Sequence, residues 1–396
     1  MSIVLYGGGF NPPHLGHLAA ADCAWTQLRP ERFFVVPDGI PPHKPLPEGT
    51  PDGETRLALC RAAFADRPWA EVLDDAVRRD SPCYMIDTVR ALQERIPEKD
   101  WILLLGADMF LYFDHWYRAE ELASRCRLAV LSREEGEDCA LREHAQRLKQ
   151  QLCVDTVVLE HRALPMSSSE IRAVLPQRLG REKLTDRVYR AIIQQRLYGA
   201  KPELSWLRDQ VYNMLPPERI PHVEGCEGRA RELAMIWGFD PDAAAEAGIL
   251  HDMTKKWSWE EQLRFCEEQK ISLTQGEREN PQLLHARTGA VAARLCFGAE
   301  PEICQAIRWH TTGKPEMNLL EKILYLADMT ESTRHFSGVE ELRKRCEEDL
   351  DAAMADALRI SVESIRRRGM FIYKDTQEAC QWYAERVLGI KEEKTC

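Results

Sequence analysis

The sequence predicts two domains of different class, an α/β domain built on a mainly parallel sheet followed by an all-α helical bundle. The first half alternates apolar strand-like runs with helical patterns. The second half repeats apolar residues at three and four positions, and strand signals nearly vanish. At 396 residues the chain also exceeds one usual domain. The boundaries read as 1–199 and 205–396. The linker is GAKPELS at 199–205, where a glycine closes the last helix and a proline follows it.

In order, SIVLY at the start is a buried strand, followed by a helical pattern from Leu15 to Leu28 and a second strand, RFFVVP. A helix over Thr55–Ala65 precedes AEVLDD, and one over Tyr84–Arg95 precedes WILLLGAD. RLAVLSR and DTVVLE complete the strands. Such alternation gives a parallel sheet whose ligands bind beyond the carboxyl ends of its strands. In the second half CEGRARELAMIWGF, HARTGAVAARLCFG and LEKILYLADMTE carry helical periodicity, and EELRKRCEEDLDAA is a solvated helix face.

The net charge of −11 argues against broad binding to nucleic acid or anionic membrane, but leaves room for a local basic pocket. No stretch approaches the ~20 apolar residues of a membrane span, and the N-terminal strand lacks the features of a signal peptide. Thirteen scattered cysteines with no Cys-x-x-Cys pair fit reduced thiols. The expectation is a cytoplasmic enzyme acting on small molecules, with homo-oligomerisation left open.

GGGFNPPHLGHL, residues 7–18, follows the first strand and opens the first helix, the general arrangement for phosphate near backbone N–H groups. No Gly-Lys-[Ser/Thr] follows, and Pro12 breaks a G-x-G-x-x-G reading. His14 and His17, three apart, can share a face and donate hydrogen bonds to phosphoryl oxygens; a tight turn with two histidines is the plain alternative. SSSEIR gives Ser167 and Glu170 the spacing of a capping box, with Ser168, Ser169 and Arg172 beside that helix N-terminus. Trp116 suits ring stacking or a core, and Asp108 a ribose contact or a cap.

Five motifs in order resemble those of bacterial nicotinate-nucleotide adenylyltransferases: GGGFNPPHLGHL with its His-x-Gly-His, VVPDGIPPHK, SPCYMIDTV, LLLGADMFLYFDHW and MSSSEIR. The resemblance covers nearly all of the first half and implies a Rossmann-like nucleotidyltransferase domain. That domain joins ATP, with Mg²⁺, to nicotinate mononucleotide and releases pyrophosphate. His14, His17 and Arg172 are then the catalytic residues. Gly8, Gly9, Phe10, His43, Lys44, Tyr84, Asp87, Thr88, Gly106, Asp108, Trp116, Ser168 and Ser169 bind ATP or the acceptor. Met85 stands where the family usually has threonine, so no side-chain hydroxyl is available there to read the ring's carboxylate.

In the second half AGILHDMTKK places His251 beside Asp252, while His222, His285, His310 and Asp328 lie in or beside separate amphipathic segments. On one helix adjacent residues diverge by about 100°, so a shared site needs a groove between helices. Imidazoles mixed with carboxylates suit Mn, Fe or Zn better than Ca. The order His, His-Asp, His, His, Asp, with RWHTTGK and EKILYLADMTE, is similar to the HD-domain symmetric diadenosine tetraphosphate hydrolases over roughly residues 205–390. This implies a binuclear metal site, iron or else manganese. Asp252 bridges, His222, His251 and Asp328 complete one metal, and His285 and His310 bind the other. Lys255 reaches a phosphate held there; Thr311, Thr312 and Lys314 are further phosphate contacts or a plain turn.

The chain is thus expected to be bifunctional. The alternatives are another acceptor for the first domain, such as phosphopantetheine, and for the second a different nucleotide phosphohydrolase or a non-catalytic nucleotide sensor.

Overall fold

The computed structural model describes residues 2–40, 46–79, 81–97, 99–132, 138–160, 164, 166–279 and 283–388. The chain divides into two compact units, Met1–Lys201 and Pro202–Cys396.

The first unit begins β1 (Ser2–Gly8), α1 (Leu15–Leu28), β2 (Arg32–Pro37), α2 (Gly53–Phe64), β3 (Ala70–Val72), α3 (Met85–Arg95) and β4 (Asp100–Gly106). It continues through α4 (Ala107–Leu111), α5 (Ala119–Arg125), β5 (Arg127–Leu131), α6 (Asp138–Leu152), β6 (Thr156–Leu159), α7 (Ser168–Val174) and α8 (Asp186–Gln195). The six strands form one sheet in the order β3-β2-β1-β4-β5-β6, and every pair is parallel. AEVLDD contributes only Ala70–Val72, which pairs with Phe33–Val35 alone.

The apolar runs are continuous because both faces of the sheet are covered. Ile3, Leu5, Phe34, Val36, Leu103, Leu105, Leu128 and Val130 join one core cluster, and the intervening Val4, Phe33, Val35, Ile102, Leu104 and Ala129 are also buried. Strand order reverses between β1 and β4, which pair from Ser2↔Asp100 to Tyr6↔Leu104. In parallel sheets that reversal opens a crevice at the carboxyl edge, and the loops after Gly8 and Gly106 border it.

The second unit is helical: α9 (Leu204–Tyr212), α10 (Ile220–Trp237), α11 (Pro241–Leu250), α12 (Trp259–Glu268), α13 (Gln275–Glu279) and α14 (Leu284–Phe297) come first. Then follow α15 (Pro301–Trp309), α16 (Leu319–Thr330), α17 (Val339–Glu348), α18 (Leu350–Arg367) and α19 (Lys374–Leu388). Helix α9 starts inside the expected linker. Helix α10 buries Val223, Cys226, Ala230, Leu233 and Ala234, the stripe its spacing predicts, and packs on α11 and α16. Helix α11 is buried from Ala244 to Leu250, so it is the centre of the bundle, and α15 packs on α11, α14 and α16. Among the described residues no helix is long and apolar enough to cross a membrane, and every cysteine is free.

Candidate active sites

In the first unit the opening loop is held from three sides. His14 is the N-cap residue of α1, and its backbone N–H donates to His17 Nδ1 at 3.1 Å. Since Nδ1 accepts, the neutral His17 ring carries its proton on Nε2. The two rings lie 3.8 Å apart, with His14 buried and His17 half-buried. From α7, Ser168 Oγ donates to Pro12 O at 2.9 Å and Arg172 donates to Asn11 O at 2.5 Å and to Ser169 Oγ at 3.1 Å. Ser167 and Glu170 form the capping box that their spacing predicts, at 3.2 and 3.1 Å. The third support is Arg56, fully buried on α2, which donates to Gly9 O at 3.0 Å and Gly39 O at 2.7 Å.

Phe10 adopts a left-handed backbone (φ 41°) that buries its ring against Tyr6 and His17, so only its backbone borders the loop. A Cβ on Gly9 would meet nothing within 4 Å, whereas one on Gly7 would lie 2.2 Å from Met85 Cε. The Met85 methyl group is therefore seated on the β1 backbone at Gly7. Tyr84 caps α3 and packs its ring 4.3 Å from that of Tyr117. Asp87 pairs with Arg90 at 3.2 Å, and Thr88 is buried with its hydroxyl accepting from Arg79 at 3.3 Å. Gly106 caps α4, and Asp108 is exposed in its first turn. Trp116 is half-buried against the core, 5.7 Å from Phe113. His43 and Lys44 lie outside the described residues. Asp38, one residue past β2, was not singled out from sequence; burial raises its carboxyl pKa to about 6, and Arg56 opposes the rise.

In the second unit the six predicted ligands converge. Helix α11 stops at Leu250 and His251 is its C-cap, so the His-Asp pair stands at a helix end. His310 likewise caps α15, His222 and His285 sit in the first turns of α10 and α14, and Asp328 comes late in α16. His222 Nε2 lies 3.1 Å from Asp328 Oδ1, 3.2 Å from His251 Nε2 and 3.9 Å from Asp252 Oδ2. On the other oxygen, Asp252 Oδ1 has His285 Nε2 at 3.3 Å and His310 Nε2 at 3.6 Å, and those two nitrogens are 3.2 Å apart. The potential ligand atoms of His222, His251 and Asp328, and those of His251, Asp252 and His310, each form a group within 4.8 Å.

These distances suit cations. His251 Nδ1 faces Gly248 O and His310 Nδ1 faces Ile307 O, both at 2.7 Å, and His222 Nδ1 faces Glu331 Oε1 at 3.0 Å. Those oxygens only accept, so each Nδ1 donates and each neutral ring turns its Nε2 lone pair inward. Lone pairs 3.2 Å apart repel unless a cation lies between them. Asp252 Oδ1 is buried and accepts no hydrogen bond, again the mark of a ligand atom. Burial pushes the pKa of His251 down to about 3 and that of His285 to about 4, so both are neutral, as ligands must be. Burial would raise Asp252 and Asp328, but the positive charge of Lys255 beside Asp252 and of Arg334 beside Asp328 opposes it and holds both well below the usual carboxylate range.

Three cations border this centre. Arg219 donates through Nε to Asp252 Oδ2 at 2.6 Å and also pairs with it through its terminal nitrogen. Arg334 donates to Asp328 Oδ1 at 2.6 Å, and Lys255 Nζ, 38% exposed, lies 3.1 Å from His285 Nε2. Thr311 Oγ1 is 3.2 Å from His310 Nε2. Thr312 and Lys314 point elsewhere, Thr312 to Gly313 O at 3.1 Å and Lys314 to Glu321 at 3.0 Å, so of the TTGK turn only Thr311 reaches the centre. Arg219 and Glu331 were missed in the sequence. Each stands three residues from a ligand, His222 and Asp328, which is the spacing that could have found them.

Comparison with known proteins follows the same division. A cytidylyltransferase-like family matches residues 5–174 and an HD-domain family residues 219–333. A "Probable nicotinate-nucleotide adenylyltransferase" of Synechococcus sp. (strain JA-3-3Ab) is 36% identical over 172 residues, 43% of this chain and 81% of its own. The second half matches a "Bis(5'-nucleosyl)-tetraphosphatase, symmetrical" of Halalkalibacterium halodurans, 37% identical over 41% of this chain and 87% of that one. The Bacillus subtilis protein of the same description is 35% identical over 43% of this chain and 92% of its own.

Proposed function

Because the chain belongs through its first half to the nicotinate-nucleotide adenylyltransferases and through its second to the HD-domain symmetrical tetraphosphatases, we propose that one polypeptide carries both activities. The first unit transfers AMP from ATP to nicotinate mononucleotide. The mononucleotide's phosphate oxygen bonds to the α-phosphorus as the bond to pyrophosphate breaks, so no protein nucleophile is needed. Catalysis is then positioning and charge stabilisation. His17 Nε2–H and His14 face the reacting phosphates, ATP enters with Mg²⁺, and Ser168, Ser169 and Arg172 hold the triphosphate. The observation that carries this reading is the bonding of α7 to the opening loop, Ser168 to Pro12 O and Arg172 to Asn11 O, which brings two distant motifs together. Tyr84, Asp87, Gly106, Asp108 and Trp116 form the acceptor side.

The second unit hydrolyses diadenosine tetraphosphate to two ADP, adding water across the central P–O–P bond. What carries this reading is the Asp252 carboxylate, whose two oxygens face different imidazole sets. His222, His251, Asp328 and Asp252 would hold one divalent metal, and Asp252, His285 and His310 another. Their donor set suits Mn, Fe or Zn, and the likeness to the HD-domain hydrolases favours iron, with manganese as the alternative. When bound, two such ions supply Lewis-acid stabilisation of attacking and leaving oxygens. Lys255, Arg219 and Arg334 supply positive charge to the polyphosphate. Neither substrate calls for nucleic acid or membrane, and the free cysteines suit a cytoplasmic enzyme.

The test is product analysis of the full chain and of two variants. His17→Ala should lose dinucleotide synthesis and retain tetraphosphate cleavage, and His251→Ala/Asp252→Ala should do the reverse. Phosphopantetheine accepted in place of nicotinate mononucleotide would overturn the first assignment, and undiminished cleavage by the double variant the second.

A further inference from the structure

The two halves of the metal centre are not built alike. On one side His222 Nδ1 donates to a carboxylate, Glu331 Oε1 at 3.0 Å, which is fully buried. Both Glu331 oxygens are fixed: Oε1 accepts from the Thr333 hydroxyl and Oε2 from the Thr333 backbone N–H, each at 2.6 Å. Space for this carboxylate exists only because residue 225, one turn from His222 on α10, is glycine; a Cβ there would lie 2.4 Å from Glu331 Oε2. The same side has its own ligand carboxylate, Asp328. On the other side His310 Nδ1 donates only to the Ile307 carbonyl at 2.7 Å. Here the shared Asp252 lies 3.3 Å from His285 Nε2 and 3.6 Å from His310 Nε2, and the Lys255 ammonium stands 3.1 Å from His285 Nε2.

A carboxylate accepting from the far nitrogen makes an imidazole a stronger donor than a carbonyl does. Cations stand on both sides, but Asp328 and Glu331 offset Arg334 and Arg219 on the first, whereas the shared Asp252 faces Lys255 on the second. We infer that Glu331 is a positioning residue that makes the two metal positions unequal. The His222–His251–Asp328 position is the tight, resident one, and the His285–His310 position is weak and exchangeable. This rests on the metal-hydrolase reading of the second unit.

Equilibrium titration of the metal-stripped full chain with Mn²⁺, read as bound metal and by electron paramagnetic resonance, tests it without turnover. Wild type should show two affinity classes of one ion each. Glu331→Gln, which keeps the shape and removes the charge, should weaken the tight class by about 10- to 100-fold and leave the weak class where it was. Two equal classes in wild type overturn the inference and need no variant. Glu331→Gln weakening both classes alike, or neither, overturns it as well. A wild-type chain that binds no Mn²⁺ overturns the hydrolase reading and this inference together.

Discussion

The His14 backbone N–H donates to His17 Nδ1 at 3.1 Å, so the turn that starts α1 also selects the tautomer of its second histidine. His17 thereby presents Nε2–H as a fixed donor. His17→Ala should lower kcat for dinucleotide synthesis by about 10²- to 10³-fold, the usual loss for one oriented donor to developing charge. KM for ATP should change far less, because the proposed ground-state binding is spread over Arg172, Ser168 and Ser169. Steady-state kinetics decide this; a loss confined to KM would assign His17 to binding alone.

Met85 rests its methyl group on Gly7, where an added Cβ would lie 2.2 Å away. Gly7→Ala should therefore displace Met85, whose flexible methyl end can swing aside, and destabilise the first unit by about 1 kcal/mol. Met85→Ala vacates the same space, so the double variant should recover part of that loss, with a coupling of at least about 0.5 kcal/mol by denaturant melts. Because its methyl group is seated on β1, Met85→Ala should leave the preference between nicotinate and nicotinamide mononucleotides nearly unchanged. A shift of about tenfold, 1.4 kcal/mol in relative kcat/KM, would mean that Met85 reads the ring.

Asp252 faces both ligand groups, so its removal should be disproportionate. Asp252→Ala is expected to abolish tetraphosphate cleavage and lower metal content on both sides of the centre, while dinucleotide synthesis persists. Metal analysis of the purified variant checks the first part and the two assays check the rest. Retention of one tightly held ion with full cleavage would contradict the bridging role.

Asp38 gives a pH signature. Burial raises its carboxyl pKa from 3.8 to about 6, so in that interval the folded state keeps a proton that the unfolded chain has lost. Stability therefore declines as pH rises from about 4 to about 6 and is level above that. Asp38→Asn cannot ionise and should escape the decline, gaining up to about 3 kcal/mol over wild type at neutral pH. Paired melts between pH 4 and 8 would show the gap opening across this window; a constant gap would exclude the carboxyl as its source.

The order of strands and helices was legible in the sequence because parallel strands covered on both faces are uninterrupted apolar runs, and amphipathic helices carry their own period. The candidate ligands of the second unit were legible for a related reason, since few explanations other than metal fit so many histidines and aspartates on apolar segments. Sequence could not decide which groups meet. Helix α11 had to end at Leu250 before His251 and Asp252 could serve one centre, and α7 had to pack on the opening loop before Ser168 and Arg172 could join His14 and His17. Arg56, Arg219 and Glu331 escaped notice because a charged residue in a sequence is ordinarily a solvated one. Only tertiary packing buries Arg56 against the Gly9 and Gly39 carbonyls, or shuts Glu331 behind Gly225 against His222. Residue types and their periods are local properties, whereas the partner of a buried charge is set by which distant segments the fold brings within 3 Å.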